Sequence, residues 1–377
     1  MGRSAAPGSA ATSGPVPCEG IDVAAYTVPT DAPESDGTLE WDATTLVVVQ
    51  AHAAGHVGLG YTYAGPPAAT TVSSTLAGIV EGRDVLAVPA AWSAMHAAVR
   101  NLGRPGVVAE AISAVDIALW DLHARVLGLP LSVVLGPVHD ATPIYGSGGF
   151  TSYDDQQLRA QLEGWLAAGL PQVKIKVGRD PDADPHRLAL TREVVGSAVG
   201  LFVDANGAYT RKQALAWAQR LADQGVRWLE EPVTSDDLEG LALLRDHGPG
   251  GLDIAAGEYG YDLPTFHRML AAGAVDCLQA DVTRCGGITA TTRVAALCDA
   301  RNIDLSLHCA PQISAHVGTA IWHLRHLEYF HDHVRIEGMA FDGVLHPEPG
   351  GRLRPDRSRP GHGLELRTTD MERFRVA

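Results

Sequence analysis

The sequence predicts an α/β chain, a (β/α)8 barrel preceded by a smaller N-terminal α+β domain. Three observations predict it. After Pro143, short apolar strands alternate with helical stretches. Their ends lie roughly 20 to 30 residues apart, the length of one strand, one helix and two loops. A polar residue closes each of these strands, which is the edge where a β/α barrel carries its site.

Taken in order, Met1 to Pro17 is rich in Ala, Gly, Ser and Pro and reads as a flexible tail. It has a single Arg and no apolar run, so it makes a poor secretory signal. From about Ile21 to Ala53 the pattern suits antiparallel strands, with TDAPESDGT (Thr30 to Thr38) as a polar loop and TTLVVVQ (Thr44 to Gln50) strongly β-prone. Helix is expected from about Val72 to Leu102. A second helix begins near Pro105, where Ile112, Val115, Leu119, Leu122 and Val126 share one face. Gly128 and Pro130 end it. The α+β domain is placed at residues 18–140 and the barrel at 141–340. The expected strand ends are Ser147, Lys176, Asp204, Glu230, Glu258, Asp281, His308 and Glu328. Residues 341–377 are rich in Gly, Pro and Arg, and GHGLELR (Gly361 to Arg367) is expected to return to the first domain as a strand.

Composition narrows the function classes. With 44 acidic against 29 basic residues the formal charge is −15, which argues against nucleic acid and anionic membranes as partners. A small anionic substrate stays possible, because lysines and a metal ion can reverse the field locally. No run approaches the roughly 18 apolar residues that cross a bilayer. The five cysteines include no CxxC pair, which suits a reducing cytoplasm and no structural zinc. His323, His326, His331 and His333 read as helix surface and loop.

Three constellations carry chemistry. Asp204, Glu230 and Glu258 close consecutive strands, and carboxylates without Cys or His favour a hard cation such as Mg2+. Strand alternation should aim Glu231 away from Glu230. Lys174 and Lys176 in VKIKV point to the same side of one strand. Mutual repulsion should lower one ammonium pKa towards neutrality, which makes Lys176 a candidate base. Asp281 and His308 end adjacent strands, so the carboxylate can fix the imidazole tautomer. Glu328, if protonated, can donate to a substrate carboxylate, and Asn206 can orient substrate or a bound water. The loop bearing Glu34 and Asp36, with the region His52 to Tyr63, is the expected seat of substrate choice.

The segments AISAVDIALWDLHARVLGLPL, VKIKV, VDANGAY, WLEEP, Gly257-Glu258, DVTRCGGIT and SLHCAPQISAH, in that order, resemble the mandelate racemase subgroup of the enolase superfamily. The resemblance covers essentially the whole chain after the tail. It implies an N-terminal capping domain and a modified (β/α)7β barrel of the TIM type. It also implies Mg2+ held by Asp204, Glu230 and Glu258. Lys176, tuned by Lys174, would serve one face of the substrate, and His308, oriented by Asp281, the other. Glu328 matches the acid that contacts the substrate carboxylate. Subgroup members are commonly homo-oligomers acting on hydroxy acids, often sugar acids.

Such a site would remove the proton beside a carboxylate and stabilise the enediolate that forms. Two bases admit two outcomes. One is dehydration of a sugar acid to a 2-keto-3-deoxy acid, the favoured reading; the other is racemisation or epimerisation of a 2-hydroxy acid. A non-catalytic binding protein on the same fold is the remaining reading, and it would be expected to lack a ligand or base.

Overall fold

The structure is a computed structural model and describes residues 14–377. Of the expected tail, Met1 to Ser13 lies outside the described residues. Val16 and Pro17 are anchored. Val16 is buried and its N–H donates to Asp84 Oδ1 at 3.0 Å, while Pro17 bridges to Asp84.

The N-terminal sheet holds three antiparallel strands in the order β1 (Gly20–Ser35), β2 (Glu40–Ala53) and β3 (His56–Tyr63). β1 runs through most of the segment expected to be loop. A register shift between Pro29 and Glu34 lets the strand resume, with Glu34 opposite Trp41 and Ser35 opposite Glu40. The turn itself shrinks to Asp36–Leu39. Asp36 Oδ1 accepts from the N–H groups of Thr38 and Leu39, both at 2.6 Å, a self-bonded turn of the kind short acidic side chains make.

The first expected helix is broken. Pro66–Thr71 is α-helical, Val72–Leu76 is a π turn, and Ala77–Val80 follows before Gly82 takes φ +76°. Helix resumes at Val88–Ala98, with Pro89 in its first turn. The helix Val107–Leu127 follows the expected periodicity and stops at Gly128, which is left-handed at φ 66°. It lies directly on β3. A Cβ on Gly60 would stand 2.2 Å from the Ala114 carbonyl, so only glycine permits this approach.

Eight parallel strands then close a barrel: β4 (Thr142–Gly148), β5 (Gln172–Lys176), β6 (Gly200–Asp204), β7 (Val226–Glu230), β8 (Asp253–Ala256), β9 (Cys277–Asp281), β10 (Asp304–His308) and β11 (Leu324–Phe330). Parallel pairing of β11 with β4 completes the ring. Register levels the functional ends. Lys176 pairs with Asp204, Asp204 with Glu230, and His308 with Asp281.

The C-terminal segment touches the first domain through loop contacts and its last residues, and the strand expected at Gly361 to Arg367 does not join that domain's sheet. Glu365–Leu366 pairs with Phe341–Asp342 instead. The His362 N–H donates to Asp121, and Val376 and Ala377 bond to Ala25 in β1.

The sheet of the first domain is bolted to the barrel by the helix His331–Ala340. Tyr61 donates to Glu337 Oε1 at 2.6 Å and Thr44 to Asp332 at 2.5 Å. Burial pushes the Glu337 carboxyl up to about 8, partly offset by the tyrosine hydrogen bonds. The folded protein therefore holds a proton there that the unfolded chain releases near its ordinary value of 4.5. The sign follows: folding stability falls as pH rises from about 4.5 to about 8. Glu337→Gln should remove that slope, so its melting temperature gains on the native protein between pH 5 and pH 8. A constant gap across that range would show that Glu337 is ionised in the fold.

Candidate active site

The barrel's C-terminal edge and the first domain enclose a cavity of about 330 Å3. Barrel residues at its floor include Lys176, Asn206, Glu258, Arg284, His308 and Glu328. Leu39, Trp41, Thr44, Thr45 and Tyr63 of the first domain form its roof. A polar floor under a partly apolar roof suits a small ligand with one charged end.

Most of the floor groups sit at or just beyond the C-terminal end of a barrel strand. Asp204, Glu230 and Glu258 bring one carboxylate oxygen apiece to within 4.8 Å of one another. Lys176 Nζ lies 2.5 Å from Asp204 Oδ2, and Lys174 Nζ lies 2.6 Å from Glu230 Oε1 and 2.8 Å from Glu328 Oε1. The Trp228 indole N–H donates to Glu230 Oε2 at 2.8 Å, fixing that carboxylate from behind. Burial opposes both ammonium charges, but the facing carboxylates outweigh it and hold both lysines above their ordinary value. This reverses the expected drop. The lysines repel each other, but the pull of the facing carboxylates is larger.

Across the cavity, His308 Nδ1 meets Asp281 Oδ2 at 2.7 Å. Asp281 Oδ1 accepts from the N–H and Oγ1 of Thr283, both at 2.7 Å. His308 Nε2 faces inward, 2.6 Å from Glu258 Oε2. Despite burial, the surrounding Cys309, Glu258 and Glu328 raise the imidazole well above its usual range. Glu328 is held low, because Lys174 and His308 overcome its burial. It is therefore a carboxylate that accepts from Ser147 Oγ at 2.5 Å, and the protonated donor expected from the sequence is not what this setting favours.

Glu231 departs from strand alternation. β7 ends at Glu230, and Glu231 turns left-handed at φ 37°. Its carboxyl stays buried, with Oε1 unpaired, and burial together with Glu258 pushes it well up. Asn206, also left-handed at φ 45°, presents a buried and unpartnered Oδ1, while its Nδ2 reaches Glu258 at 3.5 Å. A crowd of hard oxygen donors with orphaned acceptors beside it fits a small divalent cation and its water.

Two family models cover the chain. Residues 157–371 match the enolase C-terminal domain-like family, and residues 21–136 match the N-terminal domain of mandelate racemase and muconate lactonizing enzyme. This chain belongs to the mandelate racemase/muconate lactonizing enzyme family of the enolase superfamily. Among its relatives is 3,6-anhydro-alpha-L-galactonate cycloisomerase of Streptomyces coelicolor, 34% identical over 85% of this chain and 87% of that one. L-rhamnonate dehydratase of Saccharopolyspora erythraea is 33% identical over 85% and 83%. A mandelate racemase/muconate lactonizing enzyme-like protein from Rubrobacter xylanophilus superposes with TM-score 0.94 at 58% identity, covering 96% of this chain and 100% of that one. A Streptomyces coelicolor racemase with bound magnesium superposes at 0.89 with 32% identity, covering 95% and 100%.

In this family member the eight residues expected at strand ends do meet at one edge. The expected substrate contacts divide. Asn206 and Asp36 line the cavity. Glu34 does not; it is fully buried in the β1–β2 hairpin, with Oε2 accepting from Trp41 Nε1 at 2.8 Å. Of the region His52 to Tyr63 only Tyr63 reaches the cavity. His326 and His333, expected at the surface, are buried. His326 is packed among Tyr145, Phe202 and Trp228, and His333 lines the cavity stacked on Tyr63. Tyr259, Arg284 and Cys309 also line the cavity, with no sequence motif of their own to mark them. Each sits within three residues of a singled-out acid or histidine, which was the available signal.

Proposed function

We propose that this family member is a Mg2+-dependent enzyme that takes the proton α to a carboxylate of a sugar acid and releases a 2-keto-3-deoxy acid. The observation that carries the reading is one cavity lined by two candidate bases, Lys176 and His308, and by Glu258, whose carboxylate clusters with the buried Asp204 and Glu230. Those bases stand on β5 and β10, three strands apart one way round the ring and five the other. They would therefore address opposite faces of a bound acid.

Asp204, Glu230 and Glu258 would hold the magnesium, which supplies positive charge where the substrate carboxylate becomes more negative. Asp204 is the closest counter-charge of Lys176, so a cation held by that carboxylate would weaken the pairing that keeps the ammonium protonated. Lys176 then takes the α-proton. Lys174, locked between Glu230 and Glu328, stays charged beside the substrate carboxylate. His308, oriented by Asp281, gives a proton to the departing β-hydroxyl. Asn206 offers its free Oδ1 to a hydroxyl or water. Relatives named as acting on anhydrogalactonate and rhamnonate support a sugar acid as substrate.

Racemisation or epimerisation remains the second reading, because the same opposed bases could return a proton to the other face. Proton NMR of a hydroxy-acid and sugar-acid panel in deuterated water with Mg2+ separates them. Loss of the α-signal with a new 3-deoxy product supports dehydration, and loss without a new skeleton supports racemisation. No exchange with any acid would overturn both.

Magnesium should also stabilise the fold, since it relieves buried carboxylate repulsion. At about 100 times its Kd the gain is about 2.7 kcal/mol. A melting temperature indifferent to Mg2+ and to chelator would remove the cation from the reading. We further infer cytoplasmic residence and a homo-oligomer. The five cysteines, all free and buried, support the first, and the family resemblance supports the second. Among the described residues no helix is long and apolar enough to cross a membrane.

A further inference from the structure

We propose that His308, Cys309 and Glu328 form a second cation site, distinct from the carboxylate trio, that takes Zn2+ or a similar thiophilic divalent ion and blocks proton transfer at His308. That blockade rests on the reading of His308 as an acid–base group; the binding does not.

The geometry points there directly. Cys309 Sγ is 3.4 Å from His308 Nε2 and 3.5 Å from Glu328 Oε2, and His308 Nε2 is 3.3 Å from Glu328 Oε2. Zinc bonds of about 2.3 Å to sulfur and about 2.0–2.2 Å to nitrogen and oxygen, set at tetrahedral angles, space such ligands about 3.3–3.6 Å apart. The three side chains thus already stand at the corners of one face of a zinc tetrahedron. All three line the cavity, which leaves the fourth position for water or a ligand.

Each ligand is held from behind, as zinc ligands are. Asp281 on His308 Nδ1 directs Nε2 inward. Ser147 and Lys174 occupy Glu328 Oε1 and leave Oε2 on the cavity side. Cys309 is left-handed at φ 50°, and Ala310 after it at φ 43°, a backbone course that only a well-determined surrounding keeps in L-residues. The donor set is the chemical discriminator. Three carboxylates favour Mg2+, whereas sulfur, imidazole and one carboxylate favour zinc. Glu258 competes for His308 Nε2 at 2.6 Å, and filling the trio with Mg2+ removes that competitor. On binding, the Cys309 thiol and the Nε2–H of the His308 imidazolium each give a proton to water, so sulfur bonds the ion as thiolate and Nε2 as neutral imidazole, with no change of oxidation state.

The test uses Co2+ as probe, added in substoichiometric amount to the Mg2+-saturated protein. A thiolate-to-cobalt charge-transfer band should appear, Zn2+ should abolish it, and Cys309→Ser should lack it. Zn2+ in the presence of excess Mg2+ should then inhibit α-proton exchange at least 10-fold more strongly in the native protein than in Cys309→Ser, each relative to its own zinc-free rate. Glu328→Gln should keep the sulfur band but bind Co2+ at least 10-fold more weakly, and circular dichroism confirms that both variants fold. Absence of the band, or its persistence in Cys309→Ser, would overturn the site. A band without inhibition would overturn the blockade. Inactivity of the native protein on every acid would strike at the proposed function and leave the cobalt result to stand by itself.

Discussion

Lys176→Ala is expected to lower turnover by about 10²–10⁴-fold, the span that a positioned acid or base contributes. The fold should survive. Lys176 contacts Asp204 from a cavity wall, and Lys174 remains 3.5 Å from the same carboxylate. Two bases on opposite faces make the pattern of loss informative. A racemase lacking Lys176 should still exchange the α-proton of the enantiomer that His308 addresses. A dehydratase lacking it should exchange nothing, because His308 serves the leaving hydroxyl. His308→Asn is the reciprocal experiment: exchange at Lys176 should persist while product formation stops. Single-turnover exchange of both enantiomers in deuterated water measures this, and full exchange by Lys176→Ala on both would remove it as the base.

Asp204→Asn is expected to do more harm, for two separable reasons. It removes a magnesium ligand, and charge stabilisation of several kcal/mol at the substrate carboxylate goes with it, so activity should fall by about 10³-fold or more. It also strips buried Lys176 of its ion-pair partner, while Lys174 keeps Glu230 and Glu328. Leaving a buried charge unpaired costs about 3–5 kcal/mol. The melting temperature should therefore drop and no longer respond to Mg2+. A variant that melts like the native protein and still gains stability from Mg2+ would show that Asp204 is not a ligand.

The barrel was legible because its information is local. VKIKV, LFVDAN and WLEEP each carry an apolar run and a terminating polar group within a few residues, and their repeat needs no knowledge of the partner strands. Once the ring is closed, register alone puts Lys176, Asp204 and Glu230 at one level. The tuning of these groups was not legible. Repulsion between Lys174 and Lys176 can be read from two positions in one strand. The carboxylates that reverse its effect arrive from β6, β7 and β11, and their distances exist only after folding.

The same division separates the residues foreseen from those missed. Glu34 sits in a segment whose Pro, Ser, Asp and Gly read as loop, yet a register shift carries the strand through it and buries the side chain against Trp41. His333 lies on a helix whose neighbours are polar, but docking of that helix under Tyr63 turns one face of it into cavity wall. Cys309 follows a strand end, and its left-handed backbone, which no pattern of residue types encodes, brings Sγ between His308 and Glu328. The strands, their polar termini and hence the identity of the chemical groups follow from local patterning of the sequence, because hydrophobic periodicity acts over neighbouring residues. The tertiary structure alone decided which groups touch, which stay charged and which loops wall the cavity, because those depend on distances between segments far apart in the chain.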